Sequence, residues 1–212
     1  AHWDVHRQAR NLGFVGTANR GMALAGDRDV VLLNSDAIVT PGWLGRLAAC
    51  AESDRRIASV TPWSNNAEIA SLPDFCRAAP VPEHPERWAA ACAAVEPEYP
   101  EIPTAVGFCM LLRRRCIDEI GGFDEQRFGR GYGEENDWCM RARDRGWKHV
   151  LCDDAFVAHR GNASFGPLGL APGPESMQRL LAAHPGYLEL VRDFIDADPL
   201  APLRRRILDG ME

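Results

Sequence analysis

The stretch GEENDWC at residues 133–139 places three carboxylates within four positions. A positioned carboxylate can take the proton from an attacking hydroxyl group, which is typically worth about 10²–10⁴-fold in rate. At the start of a helix, the same carboxylates could instead stabilise the helix through its macrodipole. Glu134 and Asp137 would share one helix face and Glu135 would point elsewhere, so only part of the cluster is expected to face a substrate. Asp137 also precedes Arg141 by four positions, the spacing of a helix ion pair, so a structural role for it stays open.

The stretch VVLLNSDAIV at residues 30–39 offers a second candidate site. Its apolar beginning is typical of a strand, and Asn34, Ser35 and Asp36 follow where that strand ends. In open α/β sheets, ligands bind at the carboxyl ends of the strands, which would place the Asp36 carboxylate at a binding crevice. The alternative is that these polar residues only form a turn and cap the next element. The local sequence favours neither interpretation.

The elements that must position these side chains alternate between strands and helices. The first half predicts a strand at 11–15, a helix at 17–26, a strand at 30–34 buried on both faces, a helix starting near Pro41 and a strand at 57–62. Residues 63–104 are rich in proline and predict loops with one helix, PERWAAACAAV. This alternation predicts an α/β fold with a largely parallel sheet.

The second half continues the same alternation. It predicts a strand within 105–114, a short helix at 115–122 ended by glycine, a helix from the acidic cluster to about Arg145, and a strand at WKHVLC. Residues 174–208 read as helices interrupted by prolines. We therefore expect a single domain over residues 1–212, with its core at 10–166 and a helical extension at 174–212.

Composition excludes several classes of protein. The 212 residues are 46% hydrophobic and 25% charged, which is ordinary for a globular domain, and the net charge of −6 argues against nucleic acid as the main partner. No apolar run is long enough to span a bilayer, and the beginning, AHWDVHRQAR, lacks the apolar region of a signal peptide. Seven scattered cysteines without a CxxC pair predict free, buried thiols in a reducing cytoplasm. Peripheral contact with the inner face of the membrane is the alternative location.

Five stretches occur in the order of a known family. They are NLGFVGTANRGMALA, DVVLLNSDAIVTPGWLGRL, VGFCMLLRRRCIDEIGGFDEQRF, GYGEENDWCMRARDRGW and AFVAHRGNASF, and together they span about residues 10–166. In this order and spacing they resemble the family 2 glycosyltransferases with a GT-A fold, especially the bacterial rhamnosyltransferase-like branch. The resemblance implies a Rossmann-like, mostly parallel sheet flanked by helices. It also implies transfer of a sugar, with inversion, from a nucleotide-diphosphate sugar to a hydroxyl of a saccharide or lipid-linked acceptor, as in polysaccharide biosynthesis of the bacterial cell envelope.

The resemblance assigns roles to particular residues. Asn34, Ser35 and Asp36 correspond to the family's DxD-type motif, with Asn34 in place of the first aspartate and Asp36 as the ligand of Mn²⁺ or Mg²⁺. His159, in VAHRG, would complete the metal site, and one carboxylate with one imidazole suits Mn²⁺ better than a harder ion. Glu135 stands at the position of the catalytic base. Its place at a helix N-terminus is expected to lower its pKa and keep it ionised at neutral pH.

Further residues receive weaker assignments. Asn19 matches the asparagine of the family's N-x-G motif, which lies near the nucleotide. Glu134 and Asp137 flank the base and would contact the acceptor or support the site. Most of the tryptophans are expected to pack in the core, and Trp63 is the best candidate for contact with a sugar.

One departure from the family pattern motivates a second hypothesis. The family begins with a strand–helix–strand unit that contacts the nucleotide base, whereas this sequence matches only after that unit, so we expect a fold truncated at its N-terminus. Asn34 in the metal motif and glutamate at the base position are further departures. The alternative to an enzyme is a non-catalytic sugar-binding or assembly domain derived from the same fold. A homodimer is also open.

Overall fold

The structure is a computed structural model, and it describes residues 4–129, 131–161 and 174–211. The helices are α1 (Gly13–Leu24), α2 (Trp43–Ser53), α3 (Pro85–Ala93), α4 (Arg114–Ile120), α5 (Glu125–Phe128), α6 (Glu134–Arg143), α7 (Pro174–Ala183), α8 (Tyr187–Ala197) and α9 (Ala201–Asp209). The strands are β1 (Val30–Leu33), β2 (Ala37–Ile38), β3 (Ile57–Trp63), β4 (Glu101–Ile102), β5 (Cys109–Leu112), β6 (Lys148–Phe156) and β7 (Ala158–His159). The predicted α/β fold class is confirmed.

Five strands form a mixed central sheet in the order β1-β5-β3-β6-β4. Strands β3 and β6 pair in parallel, whereas β5 is antiparallel to both β1 and β3, and β4 is antiparallel to β6. Strands β1, β3 and β6 therefore run in the same direction, and their carboxyl ends meet at one edge together with the amino end of β5. At this edge β2 and β7 form a small antiparallel ribbon, in which Ala37 lies opposite His159. The ribbon brings the 34–36 turn close to His159.

Two apolar clusters cover the two faces of the sheet. Alternate residues of β5 divide between them, as the pleat of a strand requires: Cys109 and Leu111 belong to one cluster, Met110 and Leu112 to the other. Helices α2, α3 and α9 contribute to the first cluster, and α1, α4, α6 and α7 contribute to the second. Helices from the 174–211 segment thus pack on both faces.

The strand predicted at 11–15 is wrong, because these residues lead into α1. The helix begins at Gly13 and buries Val15, Ala18 and Met22. These positions lie three and four residues apart, the spacing of one helix face. The short apolar run that resembled a strand is therefore the first turn of a helix.

The prediction that the 30–34 strand is buried on both faces is also wrong. Among the described strands, β1 pairs only with β5, so it forms an edge of the sheet. Its first three residues are half-buried, and Leu33 is exposed. An apolar run predicts a strand, but it does not distinguish a strand at the edge of the sheet from one at its centre.

Most other local predictions are confirmed, including the strands near 57–62 and WKHVLC and the helices at PERWAAACAAV and in 174–208. All seven cysteines are free thiols, and every one except Cys76 is buried. Among the described residues, no helix is long and apolar enough to cross a membrane. The end of the AFVAHRGNASF stretch, residues 162–165, lies outside the described residues.

Candidate active site

A cavity of about 460 Å³ opens at the sheet edge where β1, β3 and β6 end. Its wall combines the turns that follow the strands with the beginning of α6. The turn at 34–36 and the beginning of α6 are about a hundred residues apart in the chain. Polar side chains from both regions line it, among them Asn34, Asp36, His159, Glu68, Glu134 and Glu135. The two short stretches that drew attention in the sequence therefore contribute to one cavity.

Asp36 and His159 lie side by side in this wall. The Asp36 Oδ1 atom is 3.4 Å from Nε2 of His159, and the amide nitrogen of Asn34 is also 3.4 Å from that Nε2. Both the carboxylate and the imidazole are largely shielded from solvent. Asp36 and His159 thus lie together at the strand ends, and their sharing of one metal ion stays a prediction.

The orientation of His159 is fixed by its neighbours. Its Nδ1 atom lies 2.9 Å from the carbonyl oxygen of Asn66, and because a carbonyl can only accept, Nδ1 must donate the proton. In the neutral ring, Nε2 then presents its lone pair to Asp36. The Asn65 amide holds the His159 backbone from both sides, with hydrogen bonds of 2.8 and 2.9 Å, and the Phe108 ring stacks at 5.1 Å. Such support is typical of histidines that bind metals.

The donor set fits a divalent cation of intermediate hardness. It offers the carboxylate of Asp36 and the imidazole of His159, with the Asn34 side-chain amide beside them. Within the described part of the chain, no group of three or more His, Cys, Asp or Glu side chains is placed to hold a metal. A cation bound here would therefore need further ligands from water or from oxygen atoms of a substrate.

Glu134 and Glu135 form the acidic side of the cavity. Glu134 is only 3% exposed, and its Oε2 atom has no hydrogen-bond partner among the described residues. Burial raises the pKa of Glu134 to about 7. Burial, followed by the charges of Glu134 and Glu68, raises the pKa of Glu135 to about 8, against the effect of a hydrogen bond from the Gly107 N–H. The expectation of a lowered pKa is wrong, because desolvation and like charges outweigh the helix N-terminus.

Asp137 lies apart from this pair and does not line the cavity. Its carboxylate is completely buried and contacts Arg141 at 2.8 Å, Arg127 at 3.2 Å and His184 at 3.0 Å. The ion pair with Arg141 is confirmed. The expected grouping of Glu134 with Asp137 is wrong, because Glu134 faces the cavity with Glu135 while Asp137 connects α5, α6 and the residue after α7.

Three other residues expected near a substrate lie elsewhere. The Asn19 side chain makes two hydrogen bonds to the backbone of Phe123, at 2.8 and 2.9 Å, and joins α1 to the loop after α4. Trp63 is 0% exposed and donates its indole N–H to the Asp153 carbonyl at 3.1 Å. Both assignments are corrected, since these polar groups are already bonded within the protein. Ser35 is exposed in its turn and is not part of the cavity wall.

The sequence analysis missed the residues that support the site. Asn65 and Asn66 hold His159, and Gly107 and Phe108 contact Glu135 and His159 respectively. A signal for the asparagines existed, because they directly follow β3 just as the 34–36 turn follows β1. Gly107 and Phe108 belong to a stretch that resembled the family, but neither of them has a titratable side chain.

Comparison with known proteins agrees with this architecture. A model of the family described as Glycosyltransferase like family 2 matches residues 3–168 of the chain. An uncharacterized protein of Mycobacterium tuberculosis (strain ATCC 25618 / H37Rv) is 28% identical over 170 residues, covering 76% of this chain and 60% of the relative. The N-acetylglucosaminyl-diphospho-decaprenol L-rhamnosyltransferase of the same strain is 27% identical over 180 residues, covering 74% of this chain and 58% of the relative.

A solved structure shares the fold. The crystal structure of GalNAc-T7 with UDP, GalNAc and Mn²⁺ superposes with a TM-score of 0.60 at 16% identity, covering 97% of this chain and 42% of that chain. The chain spans less than two thirds of the length of the curated relatives that it matches. The family model covers most of the chain. The chain therefore belongs to the glycosyltransferase-like family 2.

Proposed function

We propose that this protein transfers a sugar from a nucleotide-diphosphate sugar to a hydroxyl group of a saccharide or lipid-linked acceptor, with inversion at the anomeric carbon. The observation that carries the proposal is the presence of two different acidic groups in one cavity. Asp36 lies beside His159 at the strand ends, and Glu134 and Glu135 line the same cavity from α6.

Asp36 and His159 would hold Mn²⁺ or Mg²⁺, with Asn34 beside them. When bound, the ion supplies the positive charge that a diphosphate leaving group requires. The described wall of the cavity contains four carboxylates and no Lys or Arg, so these side chains offer no other cation for the diphosphate. This imbalance of charge supports metal dependence.

Glu135 acts as the general base for the acceptor. The acceptor oxygen forms a bond to the anomeric carbon while the bond from that carbon to the diphosphate oxygen breaks, and the electron pair leaves with the diphosphate. The hydroxyl proton passes to the Glu135 carboxylate. A single displacement of this kind inverts the anomeric configuration. The raised pKa makes Glu135 a stronger base, at the cost of a smaller ionised fraction at neutral pH.

The rhamnosyltransferase relative suggests which substrates to test first. Its name specifies an L-rhamnosyl group and an N-acetylglucosaminyl-diphospho-decaprenol acceptor. We therefore propose nucleotide-activated L-rhamnose as the first donor and a lipid-diphosphate-linked saccharide as the first acceptor.

The test measures release of nucleoside diphosphate and formation of the glycoside, with Mn²⁺ or with EDTA. We expect transfer only with the metal, loss of metal-dependent donor binding in Asp36→Asn, and an inverted product by NMR. A retained configuration would contradict the direct displacement. Donor binding without any transfer would favour the alternative, a non-catalytic sugar-binding domain.

A further inference from the structure

We propose that Gly107 is a positioning residue for Glu135, and that Gly107 and Phe108 together set the distance between the base and the metal-binding side chains. The inference rests on the proposed function, because it assigns a role in the same reaction. These two residues lie in the VGFCMLL stretch, for which the resemblance assigned no role.

Gly107 makes room for the Glu135 carboxyl group. A Cβ atom at position 107 would lie 2.7 Å from the Cδ atom of Glu135 and closer still to Oε2. Carbon atoms in contact are normally about 3.5–4.0 Å apart, so any side chain at position 107 would occupy the space of this carboxyl group. The Gly107 N–H also donates a hydrogen bond to the carboxylate. Gly107 does not have a positive φ, so close approach is the reason for glycine here.

The backbone around Gly107 is held in place from two sides. The N–H of Val106 donates to the Thr61 hydroxyl at 3.1 Å, and the N–H of Ala105 donates to the Cys139 sulfur at 3.4 Å. Thr61 belongs to β3 and Cys139 belongs to α6. The direction of the Gly107 N–H is therefore set by the sheet and by the helix that carries Glu135.

Phe108 contacts the other half of the site. Its carbonyl accepts the backbone N–H of Asn34 at 2.8 Å, and its ring stacks on His159 with an interplanar angle of 29°. Two adjacent residues thus contact the base on one side and the metal-binding residues on the other. Because a transfer reaction requires the reacting atoms to be placed within fractions of an ångström, a rigid connection between the two halves favours catalysis.

The first experiment compares Gly107→Ala with Gly45→Ala. The atoms that a methyl group at position 107 meets belong to the end of a flexible side chain, so the carboxylate moves and the fold is retained. We expect kcat to fall by about 10²-fold while KM for the donor stays unchanged. Gly45 is the matched control, because a Cβ there meets nothing within 4 Å.

Rescue separates positioning from a general loss of structure. Aspartate is one methylene shorter than glutamate, so Glu135→Asp withdraws the carboxylate from the added methyl group. The double variant Gly107→Ala/Glu135→Asp should be more active than Gly107→Ala alone, which is a coupling that independent sites would not show.

NMR tests the contact without any substrate. The amide resonance of Gly107 should shift with pH at the titration midpoint of Glu135, and this shift should disappear in Glu135→Gln. A Gly107 amide that does not follow Glu135, or a folded Gly107→Ala with unchanged kcat, would overturn the positioning role alone. Absence of transfer by the unmodified protein would overturn the proposed function together with it.

Discussion

The acidic residues at the start of α6 divide between two regions, the cavity wall with Glu134 and Glu135 and the buried ion-pair cluster around Asp137. In the cluster, one carboxylate has three cationic or protonatable partners, Arg127, Arg141 and His184. In the cavity wall, the two glutamates face each other's charge and that of Glu68, with no Lys or Arg in the described lining. Three carboxylates that lie within four positions of one another on one helix therefore have opposite electrostatic surroundings.

The cavity wall and the ion-pair cluster affect stability in opposite ways. Removing a buried carboxylate leaves its cationic partners without a counter-charge and destabilises the fold, whereas two like charges close together in a desolvated wall cost stability. Strongly shifted pKa values gather in functional sites. The position in the sequence does not separate the two roles, but the partners in space do.

The largest expected effect is a loss of activity when Glu135 in the cavity wall is replaced. Glu135→Gln removes the proposed proton acceptor while keeping the shape of the side chain, so kcat should fall by roughly 10²–10⁴-fold with donor binding nearly unchanged. Steady-state kinetics and donor titration measure both quantities. Asp137→Asn, on the same helix, is the control and should keep kcat per folded molecule. Normal turnover by Glu135→Gln together with an inactive Asp137→Asn would show that the wrong acid was assigned as the base.

The next largest expected effect is a loss of stability when the ion-pair cluster loses the carboxylate of Asp137. Asp137→Asn leaves Arg127, Arg141 and His184 without their common carboxylate, which is completely buried. Because the arginines are partly exposed, we expect a loss of roughly 2–4 kcal/mol in the free energy of unfolding. Urea denaturation measures it. An unchanged denaturation midpoint would mean that the cluster does not stabilise the fold.

The pH dependence of activity tests the raised pKa of Glu135 in the cavity wall. The proposed base, Glu135, must be ionised to act, and its pKa is raised to about 8, so kcat/KM should rise about tenfold per pH unit up to that region. Glu134→Gln removes one of the charges that raise this pKa and should move the rise to lower pH. Because the two glutamates are close, the observed midpoint belongs to the pair. A rise already complete near pH 5 would contradict the shifted base.

The smallest effect concerns stability and has a defined sign. The pKa of Glu134 is raised from 4.5 to about 7, so the native state holds its proton at a pH where the unfolded chain has lost it. The stability that this proton contributes is present below pH 4.5 and is lost as the pH rises to about 7. Glu134→Gln should therefore raise the free energy of unfolding at pH 8, by at most about 3 kcal/mol for a rise in pKa from 4.5 to about 7, and change it little at pH 4. An equal effect at both pH values would exclude this linkage.

Much of the site could be anticipated because it depends on local rules. An apolar strand that ends in polar residues places Asp36 at the carboxyl edge of a sheet, and the spacing of Asp137 and Arg141 is that of a helix ion pair. The same reasoning failed at 11–15, where a short apolar run fits a strand or a helix turn equally well. The resemblance placed Asn19 near the nucleotide, and Trp63 was the candidate for contact with a sugar, but the polar groups of both side chains bond to the protein's own backbone.

The fold class, the order of most elements and the residue types of the cavity can be predicted from the sequence alone, because hydrophobic periodicity and strand ends are properties of neighbouring residues. Three features follow from the folded structure and not from local sequence: Glu134 faces the cavity with Glu135, Asp137 has three partners, and Gly107 lies against Glu135. The folded structure also reversed the expected direction of the pKa of Glu135. Desolvation, like-charge repulsion and close approach depend on residues such as Glu68 and Gly107. These residues are distant from α6 in sequence and become its neighbours only when the chain folds.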